Sequence, residues 1–334
     1  MSDLARDIDT IAKESRFSGA VRIDRGDEVV IERGYGLARR DTGTPNAPET
    51  QFATASGLKG MTALAVMCLV QDGVLALDTT ARSVLGDDLP LIADDVTVEH
   101  LLAHRSGIGD YLDEDDDGFE ITDYVMPVPV HILLGPEDYV PILDGHPTKF
   151  AAGSDVAYCN GGFVVLAVIA ERASGVPYHD LVVQRVWEPA GMRDTAFLRS
   201  DELPARAALG YLHADGERTN VLHLPVRGTG DGGNYTTVAD MRAFWKALFD
   251  DRIVSSSTRE DMLRSRSVDS ERWQYGLGFG LVAETGFPAL EGHDAGVSFR
   301  SLHDPETDTS CTVVSNWSDG AWPLAVALAD QLFR

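Results

Sequence analysis

Ser56-Gly57-Leu58-Lys59-Gly60-Met61-Thr62-Ala63-Leu64-Ala65-Val66-Met67-Cys68-Leu69-Val70 is the stretch from which the rest of the chain is read. From Gly60 to Val70 it is apolar almost all round, which predicts a helix buried on every side and running through the middle of the molecule, with Gly73 as its C-terminal stop. Ser56 and Lys59 stand at i and i+3 where this helix begins, so hydroxyl and amine share a face and can meet. A serine hydroxyl is a weak nucleophile until a neighbour takes its proton, and a buried lysine can do so because desolvation disfavours the ammonium form. The unpaired N–H groups of the helix N-terminus lie beside the same centre. A four-residue pattern with two free positions also arises by chance, and a first-turn lysine can simply snorkel to solvent. Against that stands composition: of 28 basic residues only Lys13, Lys59, Lys149 and Lys246 are lysines, so one inside an apolar helix needs a reason.

Outward from this helix, residues 4–15 set Leu4, Ile8, Ile11 and Ala12 on one helical stripe. Two β-type stretches follow, Gly19 to Ile23 and Glu28 to Gly34, joined by the hairpin chemistry of Arg25-Gly26-Asp27. Between about 95 and 250 helical stretches predominate, at 97–103, 162–173, 178–187 and 238–249. Strands return at 275–283, 296–303 and 310–316, before a final helix over 323–333. Strand pairs at both ends imply one antiparallel sheet assembled from the two termini. With no internal repeat or low-complexity linker, the expectation is a single α+β domain of two lobes around one site. The α/β lobe spans approximately 1–75 and 250–334, and the helical lobe approximately 76–249.

Two further segments carry chemistry. In Tyr158-Cys159-Asn160, just before the helix over 162–173, a phenol and a carboxamide two residues apart can face one cleft. Tyr158 can relay protons or share the base role with Lys59, and Asn160 can hold the lysine or a substrate amide; the alternative is a packed tyrosine with a bonded hydroxyl. Gly292-His293-Asp294-Ala295-Gly296 precedes a strand whose edge N–H can bind an oxyanion, with His293 as a third polar wall. Its alternative is a turn with a surface histidine.

These three segments, in this order, resemble the serine β-lactamase and penicillin-binding-protein superfamily, most closely its class C-like branch, which also contains D-aminopeptidases, DD-carboxypeptidases and esterases. Leu101-Leu-Ala-His-Arg-Ser-Gly107, Glu188-Pro-Ala-Gly-Met192 with Asp194-Thr195, and Gly232-Gly-Asn-Tyr-Thr-Thr237 with Asp240 extend the likeness over roughly residues 15–330. The resemblance implies an antiparallel sheet flanked by terminal helices, an all-helical lobe, and a site between them. Carried over by position, Ser56 becomes the nucleophile, Lys59 and Tyr158 the proton-transfer pair, and Asn160 a lysine or substrate contact. The oxyanion hole falls to the N–H groups of Ser56 and Gly296. His293 then stands where many β-lactamases have lysine, and Ala295 where glycine is usual. Both departures count against efficient penicillin hydrolysis.

The net charge of −25, from 53 acidic against 28 basic residues, opposes binding to nucleic acid or anionic membrane. The chain shows no signal-peptide run and no stretch of about 18 uncharged apolar residues, and its three cysteines have no C-x-x-C spacing; a cytoplasmic setting is expected. His100 and His104 have metal-ligand spacing without a third ligand nearby, and Asp113, Asp115, Asp117 and Gly118 open like a calcium loop whose twelfth position is Tyr124. The acidic run 113–117 reads as a solvated loop near the site entrance, and the glycines of 228–233 as a flexible wall of the cleft. No G-x-S-x-G elbow occurs. The expected enzyme is a cofactor-free serine hydrolase, esterase-like, on a small ester or amide, with oligomeric state open. A D-amino-acid peptidase, DD-carboxypeptidase or weak β-lactamase ranks behind it, and a catalytically idle ligand-binding or scaffold descendant is the alternative of another class.

Overall fold

The computed structural model describes residues 3–116, 118–268 and 270–333. The main sheet has eight antiparallel strands: β1 Gly19–Arg25, β2 Glu28–Tyr35, β3 Ser267–Val268, β4 Trp273–Tyr275, β5 Gly280–Val282, β6 Pro288–Asp294, β7 Val297–Asp304 and β8 Thr309–Ser315, in the order β2-β1-β8-β7-β6-β5-β4-β3. β1 and β8 pair from Gly19↔Ser315 to Arg25↔Thr309, which joins the two ends of the chain in one sheet as expected.

Side chains alternate across a strand, and both faces of this sheet are covered, so neighbouring positions enter different cores. Val21, Ile23, Leu302 and Val313 pack with Ile8 of α1 (Asp3–Glu14) and Leu324 and Leu328 of the C-terminal helix Trp322–Leu332. Ala20, Leu290, Phe299 and Val314 enter the larger core with the central helix α2 (Lys59–Gln71) and with α3 (Asn160–Ser174). Every residue of α2 from Lys59 to Leu69 is buried.

Three local expectations change. The single strand over 275–283 is two, because Gly278 turns at φ +79° with its Cα against Ala63 of α2 and its N–H on the Leu102 carbonyl, 2.9 Å away. Gly292-His293-Asp294-Ala295-Gly296 does precede the expected strand, now β7, but its first three residues are themselves strand, the end of β6, and only Ala295-Gly296 is the turn between them. Helix α4 (Val238–Phe249), assigned to the helical lobe by sequence, lies on the sheet: Trp245 Nε1 donates to Ser301 Oγ at 2.8 Å, and Arg242 pairs with Asp308 at 2.7 Å. Among the described residues no helix is long and apolar enough to cross a membrane.

Candidate active site

Ser56 sits in a 3₁₀ turn, Ala55–Leu58, that leads straight into α2. In such a turn residues i and i+3 eclipse, which brings Ser56 over Lys59 more directly than an α-helical turn would. Ala55 holds φ +47°, a strained value for a residue with a side chain. The turn is clamped on one side by Gly232, where a Cβ would come within 2.9 Å of the Ala55 carbonyl, and on the other by Gly292, where a Cβ would stand 2.0 Å from the Thr54 carbonyl and 2.9 Å from the Ser56 nitrogen.

Lys59 Nζ lies 2.8 Å from each of three partners: Ser56 Oγ, Asn160 Oδ1 and the Asp231 carbonyl. Two of these only accept, so a neutral amine satisfies both with its two N–H bonds and keeps its lone pair for the serine O–H. Lys59 is only 4% exposed. Burial pushes its pKa down from the ordinary lysine value, while Asp231, Glu114, Asp110 and Asp294 pull it back up.

Tyr158 has its ring 4.9 Å from Lys59 Nζ and its phenol within hydrogen-bonding reach of Ser56. Burial first, then the Glu114 charge, raises the phenol well above its usual pKa, so it stays protonated. His104 supports it from beneath: the rings stack at 4.5 Å, His104 Nδ1 accepts the Cys159 N–H at 3.1 Å, and the His104 carbonyl accepts the Ala157 N–H at 3.1 Å. Burial drives His104 down to about 3, so it is neutral. His100, its partner in the metal-like spacing, instead accepts the Thr97 N–H in a helix cap.

Asn160 opens α3. Asp110 accepts the N–H groups of Asn160 (2.5 Å) and Gly161 (2.8 Å) and so caps that helix. Asn160 Nδ2 donates to the Leu112 carbonyl at 3.0 Å and to Glu114 Oε1 at 2.8 Å, which turns its Oδ1 toward Lys59. The acidic run is therefore more than a solvated loop: Glu114 orients Asn160, and Asp113 pairs with Lys149 at 2.7 Å. Asp117 lies outside the described residues. Asp231, in the glycine-rich wall, offers its carbonyl to Lys59 and its carboxylate to the Tyr111 hydroxyl at 2.5 Å. Sequence reasoning missed Asp110, Glu114 and Asp231, whose only signal was proximity to segments already singled out.

The strand β6 requires the largest correction. β5 pairs only with Pro288 and Ala289, so the edge of β6 beyond them is open. The tight turn over Ala295 and Gly296 makes Asp294 and Val297 a hydrogen-bonded pair. Antiparallel alternation then aims the N–H and C=O of Gly292 at β7, and those of His293 at the open edge beside Ser56. The Gly296 N–H is committed elsewhere, to Ser318 Oγ at 2.9 Å, and Ala295 is fully buried in the turn. Neither lines the cleft. The His293 side chain points to the opposite face, 3.3 Å from Asp319 and edge-on to Trp322, while Asp294 shares the face of Leu290 and Gly292. The Gly296 N–H, expected in the oxyanion hole, is therefore not free to serve there.

Two chambers flank Ser56. One, the tyrosine chamber, is lined by Asn160, Glu114, Asp231, Asp294 and the tyrosines Tyr111, Tyr124, Tyr139 and Tyr235. The other, the lysine chamber, contains Lys59, Tyr158, Trp273, Tyr275 and Leu290. Among the described residues Lys59 is the only lysine or arginine lining either.

The Beta-lactamase family model matches residues 4–332, and the chain belongs to that family. It is 29% identical over 290 residues to Penicillin-binding protein 4* of Bacillus subtilis, covering 82% of this chain and 61% of that protein. It is 35% identical over 218 residues to Esterase EstB of Burkholderia gladioli, covering 61% of this chain and 52% of the esterase. The chain thus spans between about half and two thirds of the length of these curated relatives. The crystal structure of a penicillin binding protein from Bacillus halodurans superposes with a TM-score of 0.91 at 32% identity, over 97% of this chain and 100% of that one.

Proposed function

We propose that the chain is a serine hydrolase that works through an acyl-enzyme, with Ser56 as nucleophile. The observation that carries this reading is the set of three partners around Lys59 Nζ, which suits a neutral amine accepting the serine proton. Ser56 Oγ attacks the ester or amide carbonyl carbon as its proton passes to Lys59. The oxyanion meets the N–H groups of Ser56 and His293, the latter on the open edge of β6. Protonated Tyr158 hands a proton to the departing oxygen or nitrogen and is recharged from Lys59. Water then repeats the sequence on the acyl-serine and releases the acid.

For substrate, a small ester or amide fits better than a β-lactam or a peptide ending in a carboxylate. Among the described residues Lys59 is the only lysine or arginine along the chambers, and it is already engaged by three partners. A substrate carboxylate would meet Asp294, Asp231 and Glu114 instead. Cys68, Cys159 and Cys311 are free and buried, which favours a cytoplasmic enzyme.

Rates on p-nitrophenyl esters, nitrocefin and D-amino-acid amides, each with a Ser56→Ala control, test the reading. Ester or amide turnover that vanishes in Ser56→Ala supports it. Fast nitrocefin turnover would replace the ester preference, and equal residual rates in wild type and variant would point to a binding or scaffold role.

A further inference from the structure

We infer that the tyrosine chamber binds the acyl group of the substrate and selects acyl chains that carry a positively charged amine. This rests on the acyl-enzyme reading, because it needs to know which side of Ser56 holds which half of the substrate. Tyr158 must stand beside the leaving atom to protonate it, and Tyr158 lines the lysine chamber. The leaving group therefore occupies that chamber, and the acyl chain runs past Asn160 into the tyrosine chamber.

Three carboxylates converge there from different elements: Glu114 from the loop before α3, Asp231 from the glycine-rich wall, and Asp294 from the end of β6. None forms an ion pair among the described residues. Glu114 Oε1 accepts from Asn160 and Asp294 Oδ1 from the Ala295 N–H, leaving the second oxygen of each without a donor among the described residues. A second observation is independent of the charge. Tyr139 (1% exposed) and Tyr235 (6% exposed) line the same chamber, and neither hydroxyl has a hydrogen-bond partner among the described residues. A pair of tyrosine hydroxyls open to one cavity and held by no neighbouring side chain offers polar contacts to a ligand there. The rings of Tyr111, Tyr124, Tyr139 and Tyr235 complete a wall suited to an alkylammonium, which tyrosine faces and carboxylates both attract. Asp294, raised to about 7 by burial, would be drawn into its charged form by an arriving cation.

Three p-nitrophenyl esters of matched size test this: 4-(trimethylammonio)butanoate, its neutral isostere 5,5-dimethylhexanoate, and the monoester of adipic acid. The expected kcat/KM order is cationic, then neutral, then anionic, with roughly tenfold between successive members, and Asp294→Asn should compress the series. Equal rates across the three, all abolished in Ser56→Ala, would overturn the charge preference and leave the hydrolase reading standing. A binding arm does not depend on turnover. In calorimetry on Ser56→Ala protein, 4-(trimethylammonio)butanamide should bind at least about tenfold tighter than 5,5-dimethylhexanamide. Equal affinities, or no binding of either amide, would overturn the inference even if no ester were hydrolysed.

Discussion

The His104 imidazole lies parallel to the Tyr158 phenol, ring centroids 4.5 Å apart and planes 27° from each other, and its Nδ1 holds the N–H of the residue that follows the tyrosine. His104 touches no reacting atom and is neutral, so its contribution is to fix where the phenol stands. His104→Ala should lower kcat by about 100-fold, the scale of a misplaced catalytic group, with a smaller change in KM. Steady-state kinetics check this; a fall in KM-linked binding with kcat retained would contradict a positioning role.

An ammonium at Lys59 cannot take the Ser56 proton. Since burial lowers the Lys59 pKa from 10.5, kcat/KM should rise with pH through a midpoint below that value. Tyr158 is raised well above 10, so no descending limb from its ionisation should appear below that pH. Lys59→Arg, which stays charged throughout, should lose about 10³-fold. A pH–rate profile on both proteins gives the answer, and a midpoint at or above 10.5 would remove the neutral-amine argument.

Gly292 is required by contact rather than by backbone freedom. A methyl there would press on the Thr54 carbonyl at 2.0 Å and on the Ser56 nitrogen, both backbone atoms that cannot swing aside. Gly292→Ala should cost about 1–3 kcal/mol, the usual price of overpacking, and reduce activity with it. Urea denaturation and ester turnover measure the two effects.

Asp294 links stability to pH. Its carboxyl, facing Glu114, Asp231 and Lys59, is raised from 3.8 to about 7, chiefly by burial. The folded state therefore holds a proton that the unfolded chain gives up, and this contribution to stability, whole below pH 3.8, is lost as pH climbs to about 7. Asp294→Asn should gain in melting temperature relative to wild type between about pH 4 and 7 and run parallel above. Thermal melts across that range test it, and a constant offset would mean the carboxyl is not raised.

How much of this was legible in the sequence follows from how local each feature is. Ser56 and Lys59 are joined by three residues of one turn, and the all-apolar run behind them announces its own burial, so both could be read without any partner segment. The terminal strands alternate or run apolar and declare themselves equally well. Pro288–Asp294 does not: Pro288, Gly292 and the Gly-His-Asp-Ala-Gly string carry turn chemistry, and only pairing with β7 makes them a strand. Once the strand is seen, its pleat assigns Asp294 to the nucleophile's face and His293 to the other, a two-state outcome that no composition argument could decide. Glu114 and Asp231 were hidden for a related reason. Glu114 belongs to a run that reads as a solvated loop and Asp231 to a glycine-rich stretch that reads only as a flexible wall of the cleft, and each acquires its role through a partner far along the chain, Asn160 or Lys59.

Covalent trapping of Ser56 reaches the centre of the account most directly. After incubation with a fluorophosphonate, intact-protein mass spectrometry should show a single phosphonyl adduct, peptide mapping should assign it to Ser56, and Ser56→Ala protein should remain unlabelled. An unchanged mass in wild-type protein that still turns over p-nitrophenyl esters, or an adduct on a different residue, would contradict it.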